Sequence, residues 1–270
     1  MPIYYPNLHY FKEAVYSIIN QTYSEIEIII ISDGHDEPIK NFIDELNDIR
    51  IYFIINAVKM GLAGSINKGI ELANGELIAR MDSDDIAHSN RIERQCEEFL
   101  KNKNLVLVGS NTLMVHDNSN ITIGVRDYPE TTVLIRKYLF NYCPFAHSSV
   151  MFKKTVLDCI GYYATNRSCE DYDLWMRIVP FYDCYNIQEY LMKIRNIPTS
   201  VRGKNVKIMQ MDNFLIKIEG LRRIKKKCTY NIYISLIINI LVLIIPYKIL
   251  IVLFNALVKM GYYRHTFRIT

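Results

Sequence analysis

Residues 73 to 85, ANGELIARMDSDD, contain an apolar run followed by three aspartates within four consecutive positions. The segment ELIARM (76 to 81) predicts a strand that delivers Asp82 at its carboxyl end, with Asp84 and Asp85 just behind it. Carboxylates this close repel one another unless a cation or a ring of hydrogen-bond donors neutralises them. Because Mg²⁺ and Mn²⁺ prefer a few carboxylate oxygens together with water and substrate phosphates, this short loop is a candidate metal site.

Two structural explanations compete with a metal at the aspartates. Aspartates often cap helices, but the following helix IERQCEEFL has its own start signal, because Asn90 and Glu93 stand at capping-box spacing. Capping therefore does not account for the cluster. Acidic loops are also often simply solvated, and the spacing alone leaves that explanation open.

Upstream of this loop, apolar residues alternate between helical and strand spacing. Residues 11 to 19 predict a helix, 26 to 32 (IEIIIIS) and 49 to 55 (IRIYFII) predict strands, and 62 to 73 predict a second helix. The order helix, strand, strand, helix, strand predicts an α/β fold with a mainly parallel sheet. Ligands of such sheets bind beyond the carboxyl ends of the strands, where Asp33 and the aspartates both lie.

Composition excludes several other classes of protein. A chain of 270 residues, half of them apolar, can bury a substantial core. The balance of 32 basic and 28 acidic residues gives no indication of a nucleic-acid partner. Six scattered cysteines predict neither a zinc site nor a disulfide framework, and the amino terminus lacks a secretion-signal pattern. We therefore expect a cytoplasmic protein.

Eight motifs in register resemble family 2 glycosyltransferases over roughly the first 200 residues. They are Pro2, Tyr4, NQTY (20 to 23), Ser32-Asp33-Gly34, the G-x-x-x-x-x-N-x-G pattern (61 to 69), the opening stretch, HSSVMF (147 to 152) and EDYDLWMR (170 to 177). The resemblance implies a Rossmann-like GT-A fold, a nucleotide-diphosphate sugar donor with a UDP-sugar favoured, a divalent metal (Mn²⁺ or Mg²⁺), and inversion at the sugar carbon.

The resemblance also implies roles for individual residues at the donor site. Pro2, Tyr4 and Asp33 would hold the nucleotide base, Asp82 would meet the ribose and the metal, and Asp84 would bind the metal. Asp85 would contact the acceptor or support the site. A metal that bridges the diphosphate oxygens stabilises the charge that develops as the nucleoside diphosphate leaves.

The motif EDYDLWMR supplies candidates for the general base that takes the acceptor proton. On a helix, Asp171 shares a face with Leu174, Trp175 and Ile178 and would point inward, whereas Asp173 would face Arg177 as an ordinary surface pair. Together with the motif match, this orientation predicts Asp171 as the catalytic base.

The neighbours of this base are predicted less specifically. Glu170 would orient Asp171 or contact the acceptor. His147 would either touch the acceptor or close a polar turn before a strand, and the residues alone leave both interpretations open. Trp175 is predicted to be a core residue.

The chain departs from the family pattern in two places. An apolar first strand precedes the Met-Pro of relatives, so we expect the central strand that presents the nucleotide-binding loop to be missing. Relatives also often carry a histidine two residues after an arginine, but here Arg195 is followed by Asn196 and Ile197. Metal coordination would then depend more on the aspartates.

Beyond residue 200 the composition changes, which predicts a catalytic domain at 1–200 and a tail at 201–270. The tail has a basic block, LRRIKKK (221 to 227), followed by apolar stretches at 232–245 and 249–258. Neither stretch reaches the roughly 20 residues that a membrane span needs. The pattern favours helices on an anionic membrane surface, and a helical pair packed on the domain is the alternative.

These patterns together predict a membrane-associated, metal-dependent, inverting glycosyltransferase. It would extend a surface glycan or a lipid-linked acceptor at the inner face of the cell membrane, as a peripheral or monotopic protein. The alternatives are a polyprenyl-phosphate sugar synthase and a nucleotide-sugar-binding protein without turnover. A nucleotidyltransferase would need a basic Gly-rich loop near the start, and a processive synthase would need QxxRW; the sequence contains neither.

Overall fold

The computed structural model describes residues 1–117, 119–196, 206–224, 236–237, 240 and 268–269. The strands are β1 (Pro2–Ile3), β2 (Ile28–Ser32), β3 (Ile51–Ile55), β4 (Leu77–Ala79), β5 (Ile86–Ala87), β6 (Leu105–His116), β7 (Thr122–Arg126), β8 (Met151–Lys153), β9 (Asp183–Asn196) and β10 (Arg268–Ile269). The helices are α1 (Leu8–Ile19), α2 (Glu37–Leu46), α3 (Gly61–Leu72), α4 (Arg91–Lys101), α5 (Thr132–Tyr138), α6 (Val156–Ile160), α7 (Glu170–Ile178) and α8 (Val206–Ile224), with a 3₁₀ turn at His147–Ser149.

The first sheet is parallel, with the strand order β1-β2-β3. Its central strand, β2, is covered on both faces, which explains its unbroken run of isoleucines. Ile28 and Ile30 pack in one core cluster with side chains from α1 and α2. A Cβ placed on Gly69 of α3 would lie 3.4 Å from Ile31, so α3 packs closely on the opposite face.

The second sheet is mixed, with the order β10-β7-β6-β8-β4 and with β9 paired to both β5 and β6. The β6–β9 ladder is parallel, whereas β4–β8, β6–β8, β6–β7 and β5–β9 are antiparallel. Its largest core cluster includes Trp175 of α7, which is fully buried as predicted. The fold is therefore α/β, as predicted, and the parallel arrangement is confined to the first sheet and one ladder of the second.

One local prediction needs correction, and one helix was not predicted. The helix that was not predicted is α2, whose start is marked by Asp36, which accepts a hydrogen bond from the Ile39 N–H, and by Pro38 in the first turn. The capping box is not formed, because the Asn90 side chain contacts His88 and Glu93 accepts from Thr22 instead. β1 contains the two residues Pro2 and Ile3, which pair with Ile31 and Ser32.

Much of the predicted tail lies outside the described residues, including 241–258 with most of its apolar stretches. The basic block begins inside α8, which packs against α7, and Ile216 of α8 lies in the main core. In the portions of the chain listed above, none of the helices combines the length and apolar character of a membrane span.

Candidate active site

The three aspartates lie in the loop between β4 and β5 of the second sheet. Asp82 accepts a 2.5 Å ion-pair contact from Arg80 Nη2 and a 2.9 Å hydrogen bond from Ser148 Oγ. The same Ser148 hydroxyl contacts a carboxylate oxygen of Asp85, and the Arg195 backbone N–H donates to Asp85 at 3.1 Å. One buried arginine and one serine therefore hold two of the three carboxylates.

Mutual repulsion contributes to the pKa values of Asp84 and Asp85. Burial, followed by the charges of Asp82 and Asp84, raises the pKa of Asp85 to about 8. Burial and the charge of Asp82 also raise the pKa of Asp84. Burial acts in the same direction on Asp82, but the Arg80 guanidinium overcomes it and lowers the pKa of Asp82 to about 2. The Ser148 hydroxyl has one hydrogen, which it can donate to Asp82. A neutral Asp85 can then donate its own proton to the Ser148 oxygen.

The donor set of the aspartate loop fits a divalent cation. One carboxylate oxygen from each of Asp82, Asp84 and Asp85 lies within 4.8 Å of the others. Burial, followed by the charges of neighbouring aspartates, raises the pKa values of Asp84 and Asp85, and a bound cation would favour their ionised forms. Oxygen ligands with unbalanced charge are what Mg²⁺ and Mn²⁺ select.

Arg195 fixes the aspartate loop to the rest of the domain. Its Nε donates to the Asp84 carbonyl at 2.7 Å, and its Nη1 donates to Asn120 Oδ1 at 2.7 Å and to the Asp117 carbonyl at 3.0 Å. Nη2 contacts Glu13 of α1, and the guanidinium lies 4.4 Å from the centre of the Tyr10 ring. Because each guanidinium nitrogen makes one of these contacts, Arg195 fixes the position of the aspartate loop.

The predicted nucleotide-binding residues lie at the carboxyl ends of the first sheet's strands. Asp33 follows β2, and its Oδ1 accepts from Asn56 Nδ2 at 3.0 Å and from the Met60 N–H at 2.6 Å, while Oδ2 accepts from the Gly61 N–H at 2.7 Å. Burial works to raise the pKa of Asp33, but these hydrogen bonds outweigh it and lower the pKa. Asp33 is thus an ionised acceptor at the start of α3.

Aromatic side chains flank this acceptor. Pro2 lies in β1, and Tyr4 follows it with 53% of its surface exposed. Lys59 Nζ lies 4.0 Å from the centre of the Tyr4 ring. Gly34 packs closely on the Tyr5 ring, because a Cβ at that position would lie 2.9 Å from it. The arrangement offers an exposed ring and a buried carboxylate to a planar, hydrogen-bonding group.

The acidic motif begins α7, and its two leading carboxylates differ in environment. Glu170 is 9% exposed, and its Oε1 lies 3.8 Å from His147 Nδ1. Burial, followed by the charge of Asp171, raises the pKa of Glu170 to about 7. Asp171 is half-buried, and its Oδ1 accepts from the Tyr172 N–H at 2.7 Å. The predicted base is therefore less buried than its neighbour.

His147 lies against this motif, in the 3₁₀ turn directly before β8. Its Nε2 is 3.2 Å from the Tyr163 hydroxyl, and its ring packs edge-on against Trp175. The polar-turn interpretation of His147 and the interpretation as a site residue are compatible, because the turn lies at the site.

Asp173 corrects the helix-face prediction. It was expected at the surface, but it is 4% exposed and accepts from Arg177 Nε at 3.0 Å and Nη2 at 2.8 Å. Arg177 also donates to three carbonyls of the preceding loop, those of Ile160, Gly161 and Tyr162. The Asp173–Arg177 pair is buried, and through Arg177 it fixes the preceding loop to α7.

Electrostatics connects the acidic motif with the aspartate loop. The charges that act on Glu170 include those of Arg80 and Asp82, and the charge of His147 acts on Asp82. Sequence reasoning missed Arg80 and Ser148, although each stands inside a quoted motif: Arg80 two residues before Asp82, and Ser148 directly after His147. Their burial in the site became visible only in three dimensions.

The loop before α7 is held in place by α8. Asp212 Oδ2 accepts from both the N–H and the hydroxyl of Ser168, at 2.7 and 2.5 Å. Arg167 Nη2 lies 2.5 Å from Glu219 Oε1 on the same helix. The helix that leads into the basic tail thus positions the segment that delivers Glu170 and Asp171.

Comparison with known proteins gives consistent matches. The family model for glycosyl transferase family 2 matches residues 1–167. The chain is 32% identical over 230 residues to an uncharacterised glycosyltransferase of Methanocaldococcus jannaschii, covering 83% of this chain and 72% of the relative. It is 30% identical over 235 residues to the O-antigen biosynthesis glycosyltransferase WbnJ of Escherichia coli, covering 84% and 88%.

A solved structure shares the fold. The crystal structure of S. aureus TarS residues 1–349 in complex with UDP-GlcNAc superposes with a TM-score of 0.63 at 16% identity. The match covers 82% of this chain and 65% of that structure's chain.

Proposed function

Because the chain belongs to glycosyl transferase family 2, we propose that it moves a sugar from a nucleotide-diphosphate sugar to a hydroxyl of a glycan or lipid-linked acceptor, with inversion. The observation that supports this most directly is that two clusters of carboxylates with different surroundings interact electrostatically. The aspartate loop offers three carboxylate oxygens within 4.8 Å of one another, and the charges of Arg80 and Asp82 act on Glu170 of the second cluster.

The donor would bind across the ends of β1, β2 and β4. Asp33, Tyr4 and Pro2 are suited to the nucleotide base, because an exposed ring offers stacking and an ionised carboxylate accepts from a ring N–H. The TarS structure that shares the fold contains UDP-GlcNAc, which favours a UDP-sugar as donor.

Asp84 and Asp82 would hold a divalent cation, Mn²⁺ or Mg²⁺, with Asp85 supporting them. When bound, the cation offsets the charge that accumulates on the diphosphate. The chain's own part is to fix the loop: Arg80 and Ser148 orient Asp82, and Arg195 holds the Asp84 backbone. Rigid placement of this kind removes the need to reorganise the loop during reaction.

Asp171 would take the proton from the acceptor hydroxyl. A single displacement, with the attacking oxygen opposite the leaving diphosphate, inverts the sugar carbon and needs one base on the acceptor side. Glu170 and His147 lie beside Asp171 and would orient it or the acceptor. Tyr163 and Trp175 pack against His147 and fix its ring.

A direct test is a screen of nucleotide sugars with the purified chain and Mn²⁺. We expect one donor to bind and to release its nucleoside diphosphate when a suitable acceptor is present. If a nucleotide sugar binds but no acceptor among glycans and lipid-linked sugars supports turnover, the binding protein without catalysis becomes the better interpretation. Transfer to polyprenyl phosphate alone would identify the synthase alternative.

The pH dependence of transfer should report the Glu170–Asp171 pair. Because the pKa of Glu170 is raised to about 7, the pair gains a proton as the pH falls through 7, and the rate at saturating donor should fall with it. In Glu170→Gln one of the two like charges is gone, so the remaining carboxylate ionises more easily and the acid limb should move to lower pH.

The control for this profile is Glu189→Gln, since Glu189 is an exposed carboxylate paired with Arg94. Its acid limb should coincide with that of the unmodified chain. An acid limb that does not move in Glu170→Gln would assign the titration to a different group.

The likeness to the O-antigen biosynthesis transferase supports a role in cell-surface polysaccharide biosynthesis, and we propose an acceptor at the inner face of the membrane. The described end of α8 fits such a location. Arg222 and Arg223 lie in its last turn, and Ile208, Met211 and Leu215 are exposed along it. Apolar and basic side chains together are typical of attachment to anionic lipid.

Removing residues 225–270 should release the chain from anionic vesicles and leave donor binding intact. High salt should weaken attachment of the full chain only in part, because salt screens charges and does not screen the apolar contribution. Vesicle co-sedimentation measures attachment. Since the deletion also removes β10, which pairs with β7, nucleotide-sugar binding serves as the control for folding. Equal co-sedimentation of both chains would refute membrane attachment by the tail.

A further inference from the structure

The G-x-x-x-x-x-N-x-G motif (61 to 69) places Asn67 in the middle of α3. The Asn67 side chain makes two hydrogen bonds to the backbone of one residue, Tyr163. Asn67 Nδ2 donates to the Tyr163 carbonyl at 2.9 Å, and the Tyr163 N–H donates to Asn67 Oδ1 at 3.0 Å. Because the two residues are 96 positions apart, this amide fixes the segment between α6 and α7 to α3.

The same segment is held from the other side by α7. Arg177 donates to the carbonyls of residues 160 to 162, directly before Tyr163, at 2.7 to 2.8 Å. Gly161 has a φ of +81°, which a residue with a Cβ rarely adopts, and it allows the chain to turn here. Tyr163 is 3% exposed and lies in the core cluster that also contains side chains of α3 and α7. The position of its phenol ring is therefore determined by both helices.

The Tyr163 hydroxyl contacts His147, next to the acidic motif. The hydroxyl oxygen lies 3.2 Å from His147 Nε2, and His147 Nδ1 lies 3.8 Å from Glu170 Oε1. An ionised Glu170 attracts an Nδ1–H and repels a lone pair at that atom, so a neutral His147 carries its proton on Nδ1. Nε2 then accepts the hydrogen of the Tyr163 hydroxyl. Burial raises the pKa of Tyr163, which keeps this hydroxyl protonated and able to donate.

The start of α3 lies at the predicted nucleotide site. The Gly61 N–H donates to Asp33 at 2.7 Å. Lys68, which follows Asn67, donates to Asn56 Oδ1 at 2.9 Å, and Asn56 donates to Asp33 at 3.0 Å. One helix thus carries hydrogen bonds to the nucleotide side at its start and the Asn67 amide further along.

We propose that Asn67 and Tyr163 are positioning residues for sugar transfer. Asn67 fixes the Tyr163 backbone to α3. The Tyr163 hydroxyl in turn holds His147 with its Nδ1–H towards Glu170, beside the catalytic base. This inference rests on the proposed function and adds to it a fixed distance between the nucleotide site and the acceptor-side carboxylates. Misplacement by about 1 Å at such sites lowers rates by up to roughly 10²-fold.

Tyr163→Phe removes the hydroxyl and keeps the ring. With the nucleotide sugar identified by the screen described above, we expect kcat to fall about tenfold and the Kd of the donor to stay within about twofold, because the groups that hold the donor are unchanged. Tyr185→Phe is the matched control, since the half-buried Tyr185 hydroxyl donates to Glu130 Oε1 at 3.0 Å. Its kcat should be normal. A normal kcat in Tyr163→Phe would overturn the proposal.

The tautomer of His147 gives a readout that needs neither donor nor turnover. Proton–nitrogen correlation spectra of the labelled chain show which ring nitrogen carries the proton, and the His147 signals are those missing from His147→Gln. At a pH above the Glu170 pKa of about 7, we expect Nδ1–H in the unmodified chain. Tyr163→Phe should show a mixture with Nε2–H, because an imidazole without such a hydrogen bond favours the proton on Nε2. Nε2–H in the unmodified chain would reject the proposed role of Tyr163.

Asn67→Asp tests the contact with α3. The carboxylate still accepts from the Tyr163 N–H but cannot donate to its carbonyl, so kcat should fall roughly 5- to 10-fold and the same tautomer mixture should appear. Asn102→Asp is the control, because exposed Asn102 only accepts, from the Asn104 N–H, and an aspartate keeps that bond.

The two readouts separate this inference from the proposed function. Absence of transfer by the unmodified chain would count against the proposed function, and the His147 tautomer would still decide the roles of Tyr163 and Asn67. If Asn67→Asp lowers Tm but keeps a normal kcat and the Nδ1–H tautomer at a temperature where it is folded, Asn67 has a structural role alone and the proposal fails.

Discussion

Replacing Asp84 with alanine should abolish metal-dependent donor binding and lower sugar transfer by about 10²-fold or more. Asp84 lies close to two other carboxylates, and burial and the Asp82 charge raise its pKa, so its ionised form is disfavoured until a cation binds. Loss of that ligand weakens the interaction with the diphosphate before and during the reaction, so binding and turnover should fall together. Calorimetry of nucleotide-sugar binding with and without Mn²⁺, followed by transfer assays, measures both.

The same substitution should leave the fold intact. Removing one of three like charges relieves repulsion, so thermal stability without metal should stay the same or rise. Asp44→Ala is a matched control, because Asp44 is an exposed carboxylate on α2 that pairs with Lys40. Normal Mn²⁺-dependent donor binding in Asp84→Ala would exclude the aspartate loop as the metal site. A fall in stability of several degrees would instead indicate a structural role.

Strand ends made the positions of the key carboxylates predictable. Asp33 and Asp82 each follow an apolar run, and in a parallel sheet the carboxyl ends of strands meet at one edge. The structure places Asp33 directly after β2 of the first sheet and Asp82 in the loop after β4, which belongs to the second sheet and pairs antiparallel with β8. Local periodicity is sufficient for such positions, because it determines which residues are last in a strand.

Partners across the chain were not predictable in the same way. Ser148 lies 63 residues from Asp85, and Arg195 lies 111 residues from Asp84, so these contacts depend on the packing of the second sheet. The same applies to Asp173, which helical spacing assigned to the surface. A loop that crosses over α7 buries it, and no periodicity on the helix itself contains that information.

Strand edges show a third kind of limit. Hydrophobic runs predict which strands form, but they do not show which strand edges find a partner. A cavity of about 800 Å³ lies between β2 and β4, and two groups that line it, Arg80 Nε and Arg91 Nη1, have no hydrogen-bond partner within the residues that the structure describes.

Asp171→Asn should separate catalysis from donor binding. The amide keeps the shape of the carboxylate but cannot take a proton, so transfer should fall by roughly 10²-fold or more while donor affinity stays within a few-fold of normal. Asp173→Asn is the matched control, because it makes the same chemical change two residues further along α7. It weakens the buried contact with Arg177, which should cost about 1.5 to 3 kcal/mol of stability.

The two variants should therefore show opposite profiles. Asp171→Asn should keep its Tm and lose transfer, whereas Asp173→Asn should lose several degrees of Tm and retain most of its transfer at a temperature where it is folded. Arg177 keeps its bonds to the Ile160, Gly161 and Tyr162 carbonyls in Asp173→Asn, which limits the damage to the loop before α7. If Asp171→Asn transfers sugar at the normal rate, the base lies elsewhere. Glu170, buried beside His147 with a pKa of about 7, would then be the carboxylate to substitute next.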